Sequence, residues 1–391
     1  MGPPHPPIEL ADVLHRAEKL AAEVVRPSAE ATDREAQWPA EALGALQREG
    51  LAALTVPAAS GGLGQGLLAL VRVCELLGGE CASTALCYGM HCVGAAVLAA
   101  KATPDQQKRY LEPIAAGEHI TTLALSEPGT GIHFYFPQTQ LHPDGGDGFR
   151  ATGAKTFVTN GDHADSYVVS TVAAAPGASP HEFSCVVVPQ GAEGVTWGEP
   201  WDGLGVRGNC SVQMNLENVP LSRRDLLGEP GDQIWYVFNV ITPYFLAAMT
   251  GTYMGIARAA LAEALGHLEA RVYSHGGTSP AGSAVVQHRL GELWARVERT
   301  RQLAYAAGDM GDQGGDHALE LLFSAKAEAA DCAEFVANQA MTLTGGISYR
   351  RGRRLERCLR DARAAPVMSP TTDLLRVWTG RSLLGLPILG D

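Results

Sequence analysis

The chain has few of the features that mark several common classes of protein. Its 391 residues include 30 Lys and Arg against 42 Asp and Glu, which gives a formal net charge of -12 at pH 7. No basic face for nucleic acid or an anionic membrane is therefore expected, and a small-molecule ligand is the better prediction. No apolar run reaches the roughly 18 residues of a membrane span, and the opening MGPPHPPIEL lacks a basic stretch followed by an apolar one. The sequence thus predicts neither a membrane span nor export.

The cysteines lack the spacing of a metal site. Eight of them are scattered through apolar stretches, without a Cys-x-x-Cys pair or a nearby His-x-x-x-His. We expect reduced, mostly buried thiols, a cytoplasmic location and no bound metal.

Hydrophobic residues make up 46% of the chain, enough for a large core, and their spacing changes twice along the sequence. Stretches such as LADVLHRAEKLAAEVV have helical spacing, and a further helix is expected to start at Thr103 with Pro104 in its first turn. Segments such as SYVVSTVAA and FSCVVVP then indicate short strands, before helical spacing returns in TYMGIARAALAEALGHLEARVY. This order predicts a mainly α, α+β fold, with an N-terminal helical domain (1–120), a middle β domain (121–230) and a C-terminal helical bundle (231–391).

Four segments carry a more specific signal through their order along the chain. They are LALSEPGTG (123–131), GAKTFVTNG (153–161), WDGLGVRGNCSVQMNLENVPL (201–221) and LTGGISYRRGRRLERCLRDARAAPVMSPTTDLL (343–375). Alone, the first would be a Gly/Pro turn and the second a hairpin signal. Together they resemble the acyl-CoA dehydrogenase superfamily across nearly the whole chain.

This resemblance implies an FAD-dependent oxidoreductase with the fold just described. It puts Phe157 against the flavin ring, where many relatives have Trp, and Thr159 near flavin N5. It also implies that Arg271 reaches the FAD pyrophosphate of a neighbouring subunit, so that a homotetramer or dimer shares its FAD sites. The cofactor-binding residues implied by the resemblance are Leu123, Leu125, Ser126, Gly131, Phe157, Val158, Thr159, Arg271, Gln287, Thr342, Gly345, Gly346, Thr371 and Asp373.

The sequence departs from the family pattern where a catalytic base is needed. Ser369 stands at the position of the usual glutamate, and a serine without an activating partner is too weak a base to replace it. Some relatives carry the base on an earlier helix, where alignment on Gly255 puts Phe245 here. On the substrate side, Ile132 and His133 replace a common Ser-Asp, which changes a polar contact to an apolar one. The flavin site therefore has the family pattern, whereas the acid-base residues and the residues that recognise CoA have changed.

Three functions stay open. The first is α,β-dehydrogenation of an acyl thioester, bound to CoA or to a carrier protein, with a non-standard base for which His91 is a candidate and His133 a weaker one. The second is a monooxygenase or oxidase of the same fold, which uses reduced flavin and oxygen. The partner expected besides the substrate is an electron acceptor or a flavin reductase. The third is a non-catalytic flavin-binding subunit.

Overall fold

The computed structural model describes residues 9–172 and 183–389. Helices form the first part of the chain. Their bounds are α1 Leu10–Leu20, α2 Arg26–Arg34, α3 Ala40–Arg48, α4 Leu67–Glu80, α5 Ala82–Ala100, α6 Pro104–Gln106 and α7 Glu112–Ala115. Thr103 caps α6, since its hydroxyl oxygen accepts the Gln106 N–H at 3.2 Å, which confirms the predicted start of that helix.

Strands form the middle of the chain. Their bounds are β1 Thr121–Ala124, β2 Gln140–Pro143, β3 Gly148–Val158, β4 Ser166–Val172, β5 Phe183–Pro189, β6 Val195–Trp197, β7 Val212–Ser222 and β8 Leu226–Leu227. Within the described residues they form two four-stranded sheets, in the orders β1-β4-β5-β8 and β2-β3-β7-β6. Alternating apolar side chains from both sheets, such as Val158, Tyr167 and Met214, share one buried cluster.

Helices return after β8. Their bounds are α8 Gln233–Tyr236, α9 Thr242–Ala270, α10 Ala284–Gln313, α11 Ala318–Thr344, α12 Arg354–Ala362, α13 Ala364–Val367 and α14 Thr372–Leu383. The long helix α9 packs closely against α4 at Gly251, where a Cβ would sit 2.1 Å from the Val71 carbonyl oxygen. Helices, strands and helices thus follow one another as predicted, and the fold class is confirmed. The division at residues 120 and 230 stays a prediction.

Two helical stretches of the described chain are apolar enough, by length and composition alone, to cross a membrane. They are Ala82–Ala100 and Gln233–Ala270, so the expectation that no stretch reaches that length is wrong. In the first, 94% of the most apolar window is buried inside the protein, and in the second 61%. Helices buried in the core of large proteins are apolar on all faces because protein surrounds them on all sides. These two stretches are therefore weak evidence for a membrane span.

Candidate functional site

A cavity of about 870 Å³ lies where the strand domain meets the helices. One wall comes from the chain after β1 and the end of β3, and the opposite walls come from α5, the start of α9 and the segment between α12 and α14. Of the predicted site residues, the cavity brings together Leu123, Leu125, Ser126, Gly131, Ile132, Phe157, Thr159, Phe245, Ser369 and Thr371. Residues from all three parts of the chain therefore meet at one place.

The wall formed by the chain after β1 and the end of β3, called the flavin-side wall below, is shaped by an irregularity in β3. Lys155 pairs with Met214 and Val158 with Val212, so β3 has one residue more than β7 over this stretch. Such a bulge redirects side chains. Phe157 takes a left-handed backbone (φ 55°) and leaves 66% of its surface exposed at the cavity, with its ring centroid 6.2 Å from that of Trp201. A strained, exposed aromatic residue in a cavity wall suggests that the residue contacts a bound planar group.

The same bulge corrects one prediction. Val158 was expected against the flavin ring, but its side chain is fully buried in the core between the two sheets. Thr159, the next residue, does line the cavity, and its hydroxyl lies 3.0 Å from that of Ser211. Its carbonyl oxygen accepts a hydrogen bond from the Thr122 hydroxyl at 2.9 Å, which ties the end of β3 to β1.

A buried ion pair that the sequence reading missed supports this wall. Lys155 Nζ donates to Glu127 Oε1 and to the Ser170 carbonyl oxygen, and the two charged side chains are 0% and 4% exposed. Glu127 also accepts hydrogen bonds from the Gln138 and Thr139 amides. Burial alone would raise the pKa of Glu127, but Lys155, the Thr139 hydroxyl and the Gln138 amide hold it below its usual value. The signal was a charged residue at an inward-facing strand position in GAKTFV.

The described residues that line the cavity offer no free carboxylate to act as a base. Glu127 is the only carboxylate among the described residues that line it, and its oxygens are taken up by the contacts above. Ser369 lies in the wall and donates through Oγ to the Ile132 carbonyl at 3.4 Å. Phe245, on the first turn of α9, fills the alternative position with an apolar ring.

His91 is wrong as a candidate base. Its side chain is 0% exposed and lies outside the cavity lining. Nε2 lies 2.8 Å from the Ala52 carbonyl oxygen and Nδ1 accepts the Thr121 N–H at 3.0 Å, so both nitrogens are occupied by backbone groups. Burial lowers the pKa of His91 to about 4. It is a neutral core histidine that joins α5 to the start of β1.

Two other predicted residues near the cavity do not line it. The His133 ring is exposed and its Nδ1 lies 2.9 Å from the Tyr135 hydroxyl. The Asp373 side chain is 97% exposed, beside Arg376 on α14. Neither side chain contributes to the cavity wall of this chain, so their expected contacts with substrate and cofactor are not supported.

Arg271, which is predicted to reach a neighbouring subunit, is exposed and lies outside the cavity lining. Arg271 follows the end of α9, where its guanidinium lies over the Tyr273 ring at 5.6 Å. Four other residues of the predicted cofactor set are also exposed and do not line the cavity: Gln287, Thr342, Gly345 and Gly346. An exposed position suits a contact with another copy of the chain, and that role stays a prediction.

The described residues show no metal centre. In the ranges 9–172 and 183–389, no group of three or more His, Cys, Asp and Glu side chains is arranged to hold an ion. The eight cysteines, all within these ranges, are free, and seven of them are buried.

Comparisons with known proteins point to one family. Models described as the N-terminal, middle and C-terminal domains of acyl-CoA dehydrogenase match residues 9–118, 122–219 and 246–384. Cyclohex-1-ene-1-carbonyl-CoA dehydrogenase of Geobacter metallireducens is 31% identical over 369 residues, 93% of this chain and 95% of that protein.

Solved structures share the fold. Butyryl-CoA dehydrogenase from Megasphaera elsdenii superposes with a TM-score of 0.90 at 23% identity, covering 96% of this chain and 98% of that one. The prolyl acyl carrier protein oxidase AnaB superposes with a TM-score of 0.85 at 22% identity, covering 96% and 99%. The chain therefore belongs to the acyl-CoA dehydrogenase superfamily, and it is an FAD-dependent oxidoreductase of that family.

Proposed function

We propose that the protein catalyses α,β-dehydrogenation of an acyl thioester, carried by CoA or by a carrier protein, with a base other than the family glutamate. The observation that carries this proposal is the cavity in which the flavin-side wall, with Phe157 and Thr159, faces an apolar wall of Leu86, Met90 and Phe245. FAD bound there would supply the acceptor for the hydride from the β-carbon.

The cavity wall fits a flavin. A volume of about 870 Å³ suits a ring system together with a short acyl group. Phe157 offers exposed aromatic surface for a planar ring. The Ser126 and Thr159 hydroxyls add polar groups at the same wall.

The opposite wall fits an apolar chain. Leu86 and Met90 from α5 and Ile241 before α9 present apolar side chains to the cavity. Burial of each acyl CH₂ contributes about 0.8 kcal/mol, so affinity is expected to rise with chain length until the wall is filled. Ile132 adds apolar surface where relatives often carry serine, which favours a changed thioester arm or carrier.

Anaerobic flavin bleaching tests the proposal. Thioesters of graded chain length, offered on CoA and on a carrier protein, are expected to bleach the flavin. Absence of bleaching with every acyl group and carrier would contradict the proposal.

The base can be tested at its vacant position. A general base contributes about 10²- to 10⁴-fold, so Ser369→Glu is expected to accelerate bleaching within this range if α-proton removal limits the rate. Ser369→Gln is the matched control, because it adds the same bulk without a base. Equal rates for Glu and Gln would show that proton removal is not limiting.

A second function is an oxygen-using oxidase or monooxygenase. The lack of a free carboxylate in the described cavity wall favours it, since such chemistry does not need the glutamate, and the fold is shared with a carrier protein oxidase. Oxygen consumption with a flavin reductase supplied, without thioester bleaching, would favour this function. A protein that does neither would be a non-catalytic flavin-binding subunit.

We also propose that FAD sites are shared between subunits of a homotetramer or dimer. The exposed Arg271 guanidinium suits a bidentate contact with a pyrophosphate of a second copy. Arg271→Ala is expected to lose FAD without unfolding. Arg289→Ala, which removes another exposed arginine from α10, is the control and is expected to retain FAD. Equal FAD content of the two variants would contradict the shared site.

A further inference from the structure

A buried lysine lies directly behind the loop that carries Ser369. Lys326, on α11, is 0% exposed. Its Nζ donates to the carbonyl oxygens of Ala365 at 2.9 Å, Met368 at 3.1 Å and Pro370 at 2.9 Å. One side chain thus holds the backbone on both sides of Ser369.

The number of contacts defines the protonation state they need. A carbonyl oxygen can only accept, so three contacts to three carbonyls require three N–H donors, which an ammonium has and a neutral amine lacks. Within the described chain Lys326 forms no ion pair, and burial lowers its pKa to about 7. The three carbonyl dipoles oppose this effect by stabilising the charged form.

The loop held by Lys326 also closes the cavity. Its Ser369 hydroxyl donates to the Ile132 carbonyl oxygen in the flavin-side loop, so the two walls meet there. On the side of α9, the Tyr253 hydroxyl lies 3.5 Å from Met368 Sδ. The loop is therefore held from α11 and α9 while its exposed edge, including Val367 (61% exposed), lines the cavity.

We propose that Lys326 is a positioning residue, which holds residues 365–370 so that Ser369 meets Ile132 and the substrate side of the cavity keeps its shape. It contacts neither cofactor nor substrate and acts through the loop. This inference rests on the proposed binding of an acyl thioester in the cavity.

The test combines two substitutions, with butyryl-CoA as the probe and the flavin absorbance of the holoenzyme as the signal. Lys326→Met is expected to retain FAD, because Lys326 contacts none of the residues predicted to bind it. It is expected to raise the Kd for butyryl-CoA about tenfold, the equivalent of one charge-assisted hydrogen bond. Ser369→Ala is expected to weaken binding in the wild-type background and to add nothing in the Lys326→Met background. Lys108→Met, at an exposed lysine, is the control and leaves the Kd unchanged.

Hydrogen exchange separates this inference from the proposed function. If butyryl-CoA does not bind the wild-type protein, the proposed function fails for this thioester, but Lys326→Met should still speed amide exchange in 365–371 and leave 123–131 unchanged. If Lys326→Met does not fold, Lys326→Gln, which keeps two N–H donors, replaces it. A Lys326 variant that lowers Tm but leaves both loop exchange and butyryl-CoA affinity as in wild type would overturn the proposal, as would additive effects of the two substitutions.

Discussion

The buried pair between Glu127 and Lys155 offers the sharpest test of how the flavin-side wall is held. Glu127→Gln keeps the shape of the side chain and removes its charge, which leaves the Lys155 ammonium among neutral acceptors. Removal of one partner of a buried ion pair costs about 3–5 kcal/mol. The structure supports this range, because both side chains are almost fully buried and burial already lowers the pKa of Lys155 to about 8, although Glu127 opposes that shift.

The partner substitution should be equally costly and the two should not add. Lys155→Met leaves the Glu127 carboxylate with the Gln138 and Thr139 amides but without a counter-charge. In the double variant no charge is left unpaired, so its cost is expected to fall below the sum of the single costs by at least about 1 kcal/mol.

Urea unfolding provides the assay. Far-UV circular dichroism gives the free energy of unfolding, and release of FAD is followed in parallel, since the pair holds the loop that contains Ser126. Single costs below about 1 kcal/mol, together with additivity in the double variant, would refute the reasoning, because an isolated buried charge cannot be that cheap.

Three further predictions follow from single contacts. The pKa of His91 is about 4 in the folded chain, below its ordinary value, so the unfolded chain binds a proton more readily. The contribution of His91 to the free energy of unfolding is therefore lost as pH falls from about 6.5 to 4, by about 3 kcal/mol at most. The melting temperatures of wild type and His91→Gln should converge over this pH range, and parallel curves would contradict the prediction. Phe157→Ala removes an exposed aromatic side chain from the cavity wall and should weaken FAD binding by about 1 kcal/mol or more. FAD titration of the apoprotein measures this change. Unchanged affinity would show that bound FAD does not contact the Phe157 ring. Gly205→Ala would place a Cβ 2.4 Å from the Arg360 carbonyl oxygen and should lower the free energy of unfolding in urea by about 1–3 kcal/mol. The control is Gly266→Ala on α9, which has open space around it and should be neutral or stabilising. Equal effects of the two substitutions would contradict the close packing of Gly205 against Arg360.

The sequence alone predicted the order of the secondary-structure elements and part of the candidate site. The period of the apolar residues changes twice along the chain, and this was enough to predict helices, strands and helices in order. The segments around Ser126 and Phe157 pointed to the flavin wall, and the residues at 369 and 245 showed that no carboxylate stands at either position of the base. The first of these inferences depends on residue type and short spacing, and the other two depend on the resemblance to the family.

Only the tertiary structure decided which side chains face the cavity and which are used elsewhere. A one-residue bulge in β3 turns Phe157 toward the cavity and Val158 into the core, and its position depends on pairing with β7, more than 50 residues further along the chain. His91 lost its candidate role because both its nitrogens bind backbone groups 30 and 39 residues away. Lys326 gained a role in the same way, through three carbonyls 39 to 44 residues away. The role of a polar side chain depends on which buried groups the fold brings within hydrogen-bonding distance, about 3 Å. A linear sequence pattern does not contain those distances.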